Sequence, residues 1–116
     1  MIFIEYPACG TCKKARKWLT ERGITVHTRH IVEEPPTENE LKEWIKRSGL
    51  PIKKFFNTSG LVYKELELKD RLPTMSTEDQ IALLSSNGKL VKRPLLIDAG
   101  VVLVGFNIEE WTRALK

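Results

Sequence analysis

The first thirty residues, MIFIEYPACGTCKKARKWLTERGITVHTRH, run strand, helix, strand with joins of only a few residues, an order that leaves a chain few folds to choose from. Ile2, Phe3, Ile4, Glu5 and Tyr6 form a β-rich run that stops at Pro7. From about Gly10 the apolar period becomes helical, with Cys12, Ala15, Trp18 and Leu19 on one stripe and Gly23 as the stop. ITVHTRHI, residues 24 to 31, reads as a second strand. A helix crossing between two strands of one sheet makes those strands parallel.

Residues 35 to 88 change character and read as mostly helical. Thr37 with Glu40 three positions later is a capping box, opening a helix that buries Leu41, Trp44 and Ile45 and closes at Gly49. NTSG, residues 57 to 60, interrupts the period, LVYKELELKDRL holds a short helix, and Ser76 with Asp79 opens another over Ile81 and Leu84. The last third returns to sheet. Pro94 heads a strand of Leu95, Leu96 and Ile97, since proline is tolerated at a strand's first position. Asp98, Ala99 and Gly100 are expected to form a three-residue hairpin loop with Gly100 at positive φ, before a return strand from Val101 to Val104. Asn107 and Glu110 cap a final helix carrying Ile108, Trp111 and Leu115. Trp18, Trp44 and Trp111 sit at helical spacing and read as core.

With 116 residues the chain suits one domain, residues 1–116, and one core. No apolar run approaches the ~18 residues of a membrane span. Met1 leads straight into the first strand without a basic region or cleavage site, which reads as a cytoplasmic protein with no membrane partner. The net charge of +4 is spread among acids, as in VEEPPTENELKEWIKR, so direct nucleic-acid binding is not expected.

Cys9 and Cys12 remain to be explained. In a reducing compartment a C-x-x-C pair points to metal or redox chemistry before a permanent staple. Zinc would need His27 and His30, but two histidines three apart on a strand face opposite ways, so no metal site is expected. Inert packing fits Cys12, on the apolar stripe. It fits Cys9 poorly, because Cys9 lies where unpaired helix amides and the positive end of the helix dipole meet. A thiolate so placed has its pKa lowered from about 8.5 to roughly 3.5–7.5. Lys13, Lys14, Arg16 and Lys17 read as the hydrated face of the helix, with one of them near enough to add potential. Cys12, about one turn on, can close a disulfide with Cys9. Cys9 then attacks and Cys12 resolves.

YPACGTCKKARKWL, PPTENEL, KKFFNTSG, YKEL, KRPLLID and VGFNIEEW, in that order, resemble the arsenate reductase/Spx family of thioredoxin-like proteins over essentially the whole chain. The resemblance implies an α/β thioredoxin-like fold, βαβ plus ββα in a mixed four-stranded sheet, with a helical subdomain inserted at about 35–88. It also implies a cis bond before Pro94, which faces the reactive cysteine, and an oxyanion-binding or site-ordering role for Arg93. Gly10, Thr11, Asn57 and Pro94 are the expected substrate contacts, Asn57 not from the family pattern but as part of the NTSG loop, which reads either as a plain turn or as a loop near the cysteines.

Glutaredoxin-dependent members share P-A-C-G-T but have serine where Cys12 stands, and use two more arginines where this chain has Asn57 and Gly105. The Spx branch resembles the chain in VGFN and in keeping C-x-x-C, there an oxidant-sensing switch on an adaptor that binds RNA polymerase through its alpha subunit. Spx-like regulators carry a further helical tail and an arginine at the loop matching NTSG, so the nearest likeness is to the C-x-x-C, Spx-like branch of the reductase-like members.

The expected activity is that of a thiol-disulfide oxidoreductase with no metal or organic cofactor. It would draw electrons from a thioredoxin- or glutaredoxin-like dithiol protein and act on a small oxyanion or disulfide. The alternatives are an Spx-like redox-sensing regulator and an arsenate reductase with a weakened oxyanion site.

Overall fold

The computed structural model describes residues 1–115. Strand β1 (Ile2–Glu5) leads through a short loop into α1 (Gly10–Glu21) and back to β2 (His27–His30), which lies parallel to β1 with Ile2 opposite His27 and Glu5 opposite His30. After the helical stretch, β3 (Leu95–Asp98) pairs antiparallel with β1, Leu95 opposite Ile4, and β4 (Val101–Val104) pairs antiparallel with β3. The sheet order is β2-β1-β3-β4. This is the mixed four-stranded, thioredoxin-like α/β architecture that the sequence implied. No described helix is long and apolar enough to cross a membrane.

Alternation along the strands sorts the core into two layers. Phe3, Leu96 and the partly buried Leu103 turn to one face, where α1 brings Ala15 and Leu19 and α6 (Ile108–Ala114) brings Trp111. Ile4, Leu95 and Ile97 turn to the other, beneath the helical segment. That segment holds α2 (Glu38–Ser48), a 3-10 turn (Ile52–Phe55), α3 (Leu61–Glu65), α4 (Leu68–Arg71), a second 3-10 turn (Leu72–Thr74), α5 (Thr77–Ser86) and a last 3-10 turn (Gly88–Leu90). It supplies Leu41, Trp44, Phe55, Leu68 and Leu84 to the second layer.

The capping box of α2 forms in both directions, Thr37 Oγ1 accepting from Glu40 N and Glu40 Oε1 from Thr37 N, and Gly49 ends the helix at φ 69°. Trp111 is fully buried, lies edge-on to Phe106 at 4.9 Å, and donates its Nε1 hydrogen to Gly105 O at 3.1 Å.

Three sequence expectations are corrected. The second strand starts only at His27, because β1 begins at Ile2 and offers residues 24 to 26 no partner; Ile24 and Val26 pack against the α1 layer instead. The hairpin turn has two residues, Ala99 and Gly100, because Asp98 still pairs with Val101, and Gly100 is not left-handed. Ile108 is 58% exposed, since α6 turns Trp111 to the core.

Candidate functional site

Cys9 is the N-cap residue of α1. Its backbone is extended (φ −79°, ψ 123°), its amide donates to Tyr6 O at 2.9 Å, and its sulfur accepts the Cys12 amide at 3.3 Å. A sulfur here does what a serine or aspartate oxygen does at other helix starts, satisfying one orphaned amide and meeting the positive end of the helix. Gly10 and Thr11 form the first turn, so their amides are also among those a helix start leaves without helical acceptors. Cys9 is half-buried and Cys12 fully buried, and both are free thiols.

The two sulfurs sit in opposed surroundings. Burial works against ionisation of Cys9, yet hydrogen bonds from Cys12 and from Arg93, with the charge of Arg93, leave its thiol below the ordinary value. Cys12 is pushed up to about 12, first by burial and then by the neighbouring Cys9 and Glu5, against a hydrogen bond from the Tyr6 amide. One sulfur is thus poised to ionise and the other to stay protonated.

Arg93 reaches this site from the far end of the sequence. Continuing the β1–β3 register sets Pro94 beside Glu5 and Arg93 beside Tyr6, and the guanidinium lies 5.0 Å from the Tyr6 ring centroid. The Arg93–Pro94 bond is cis, Pro94 is buried, and Arg93 Nη1 is buried with no hydrogen-bond partner among the described residues. Beside it opens a cavity of about 400 Å³ whose lining includes Tyr6, Asn57, Leu61, Glu65, Lys89 and Arg93. A mixed-charge pocket of this size with two cations suits a small anionic group.

The structure therefore brings Cys9, Cys12, Gly10, Thr11, Arg93 and Pro94 together, and puts Asn57 on the cavity that Arg93 shares. Gly60 joins Asn57 there, but Thr58 lines a different groove with Lys53, Lys54 and Lys92. Gly105 is buried at φ 73°, its amide on Pro94 O at 2.8 Å, and a Cβ built on it would meet Lys92 Cε at 3.3 Å.

The expectation that a cation of the α1 run serves Cys9 is corrected: Lys13, Lys14 and Lys17 are exposed, Arg16 turns away to Glu5, and the cation at the sulfur is Arg93. His30 Nδ1 accepts the amides of Val32 and Glu33, while His27 is exposed. Sequence reasoning missed Tyr6, Lys89, Glu5 and Arg16. Glu5 left one usable signal: a carboxylate that strand alternation sets on the same face as Phe3.

The ArsC family model matches residues 4–114. The chain is 50% identical over 111 residues to the uncharacterized protein YusI of Bacillus subtilis, covering 96% of this chain and 94% of that one. It is 34% identical over 110 residues to the global transcriptional regulator Spx of Enterococcus faecalis, covering 94% and 81%. The crystal structure of an ArsC family related protein from Bacteroides fragilis superposes with a TM-score of 0.94 at 62% identity, covering 97% of this chain and 94% of that one.

Proposed function

Because the chain belongs to the ArsC family, we propose that it is a thiol-disulfide oxidoreductase, one domain over residues 1–116, in which Cys9 attacks and Cys12 resolves. The observation that carries this reading is the opposed state of two neighbouring sulfurs: Cys9 below the ordinary thiol value at a helix start, Cys12 pushed up to about 12 one turn on. Cys9 thiolate attacks a substrate disulfide, forming one S–S bond as another breaks, and a substrate thiolate leaves. Cys12 then releases its proton to solvent and attacks the Cys9 sulfur, and the second substrate thiolate departs with the electron pair. A dithiol protein of thioredoxin or glutaredoxin type returns the pair to the reduced form. Arg93 and the first-turn amides of Gly10 and Thr11 stabilise the negative charge, and the cavity bearing Asn57, Lys89 and Arg93 receives an anionic part of the substrate.

Turnover of a model disulfide by wild type, Cys9→Ser and Cys12→Ser tests this. Cys9→Ser is expected to abolish turnover, and Cys12→Ser to stop it at the mixed disulfide. Undiminished turnover in Cys9→Ser overturns the reading.

A second reading, a transcriptional regulator switched by the same disulfide, is favoured by the likeness to Spx. Capture of the RNA polymerase alpha subunit only by the oxidised protein, without disulfide turnover, would select it. Efficient arsenate reduction is disfavoured, since Asn57 and Gly105 cannot make the bidentate, charge-assisted contacts of arginine and Arg93 is, among the described residues, the one arginine lining the cavity.

A further inference from the structure

Glu5 is the one charged side chain buried among the described residues, at 4% exposed. A bare carboxylate there would be costly, and Arg16 offsets it, with Nε at 3.1 and 3.2 Å from the two oxygens and Nη2 bonded to Oε1. A staple between strand and helix would account for such a pair anywhere on the sheet. Its location is more particular. Strand alternation turns Glu5 to the α1 side of the sheet with Phe3, and Arg16 follows Cys12 by four residues, one turn along the same stripe. The carboxylate therefore lies beneath the part of α1 that carries the buried thiol.

Around the two sulfurs the charges are of opposite sign. Cys9 meets helix amides and the Arg93 guanidinium, whereas Cys12, already held back by burial, meets Cys9 itself and then Glu5. Arg16 neutralises part of the Glu5 charge from the side of α1, and on β2 the residue opposite Glu5 is His30, whose Nδ1 is engaged by backbone amides. When Cys9 enters a mixed disulfide its own negative charge disappears, and the charge of Glu5 stays.

Resting on the redox reading above, we propose that Glu5, held by Arg16 beneath the turn of α1 that carries Cys12, is a positioning residue that slows the resolving step. Glu5 takes neither proton nor electrons. The Cys12 proton goes to solvent, the Cys12–Cys9 bond forms, and the bond from Cys9 to the substrate sulfur breaks with the electron pair leaving on the substrate. Removing the carboxylate charge therefore speeds resolution, the reverse of what the loss of a general base does.

The test has two arms. In Cys9→Ser, Cys12 is the sole thiol, and its titration is followed by the Cβ shift of 13C-labelled cysteine with and without Glu5→Gln. The midpoint is expected to fall by about one pH unit in the double variant. In the second arm, thionitrobenzoate is loaded on Cys9 of the otherwise wild-type chain and its release by Cys12 is timed. Glu5→Gln is expected to release it about three- to fourfold faster at neutral pH, a tenfold larger thiolate fraction being partly offset by the weaker nucleophilicity of a less basic thiolate, with the rate profile moved to lower pH. Glu5→Met, in which the half-exposed Arg16 can turn to water, gives the same direction if Glu5→Gln folds poorly. An unchanged or raised midpoint overturns the inference, as does slower release, which would make Glu5 the proton acceptor. No release even without the Glu5 substitution overturns the redox reading and the kinetic half of this inference with it; the titration still decides the electrostatic half.

Discussion

Two cysteines of identical chemistry differ here because their neighbours differ. Cys9 caps α1 and faces Arg93, so its thiol is held below the ordinary value, while Cys12 is buried beneath the same turn. Iodoacetamide labelling of Cys9 in Cys12→Ser should thus show a midpoint below that of a free thiol. Arg93→Gln is expected to raise that midpoint by about one pH unit, whereas Lys13→Gln and Lys14→Gln leave it within a few tenths, since exposed cations are screened. Equal shifts from all three would mean that the helix surface, and not Arg93, supplies the field. The position of Cys9 at a helix start was legible from Pro7 and the onset of helical period at Gly10. The partner charge was not, because Arg93 lies 84 positions after Cys9 and only strand pairing brings them together.

At the level of elements, α2 is the clearest case of local sequence setting local structure. Its capping box closes on itself, and Glu40 also grips Arg29 of β2 through both oxygens, at 2.7 and 2.8 Å. Thr37→Ala should cost about 1 kcal/mol, read from the urea midpoint. Arg29 and the Thr37 amide hold the Glu40 carboxyl below its usual range despite partial burial. With the folded value the lower one, the contribution is full above the ordinary carboxylate range, near 4.5, and is lost as pH falls through the folded value. Between pH 7 and pH 3, wild type should therefore lose more urea stability than Glu40→Gln; parallel losses would deny the ion pair a share. The cap could be read directly, but its tie to Arg29 could not, because nothing in residues 27 to 30 marks which strand residue faces α2.

For the whole molecule, the sheet separates two apolar layers, and the helical segment must close against the end of β2 to complete one of them. Gly88 is where it closes: a Cβ there would stand 1.9 Å from Ile31 O. Gly88→Ala should cost at or above the roughly 3 kcal/mol of ordinary overpacking, measured by urea unfolding, and a loss under about 1 kcal/mol would show that the segment shifts freely. Strand and helix order, the helix caps, the two faces of the sheet and the C-x-x-C at a helix start were all determined by the chain's own pattern, because periods of 2 and 3.6 residues and capping chemistry are local. The length of β2, the two-residue turn at Ala99 and Gly100, the Glu5–Arg16 pair and the meeting of Arg93 with Cys9 were decided only in three dimensions. Each depends on which residues of distant segments lie in register, and no spacing along one segment records that.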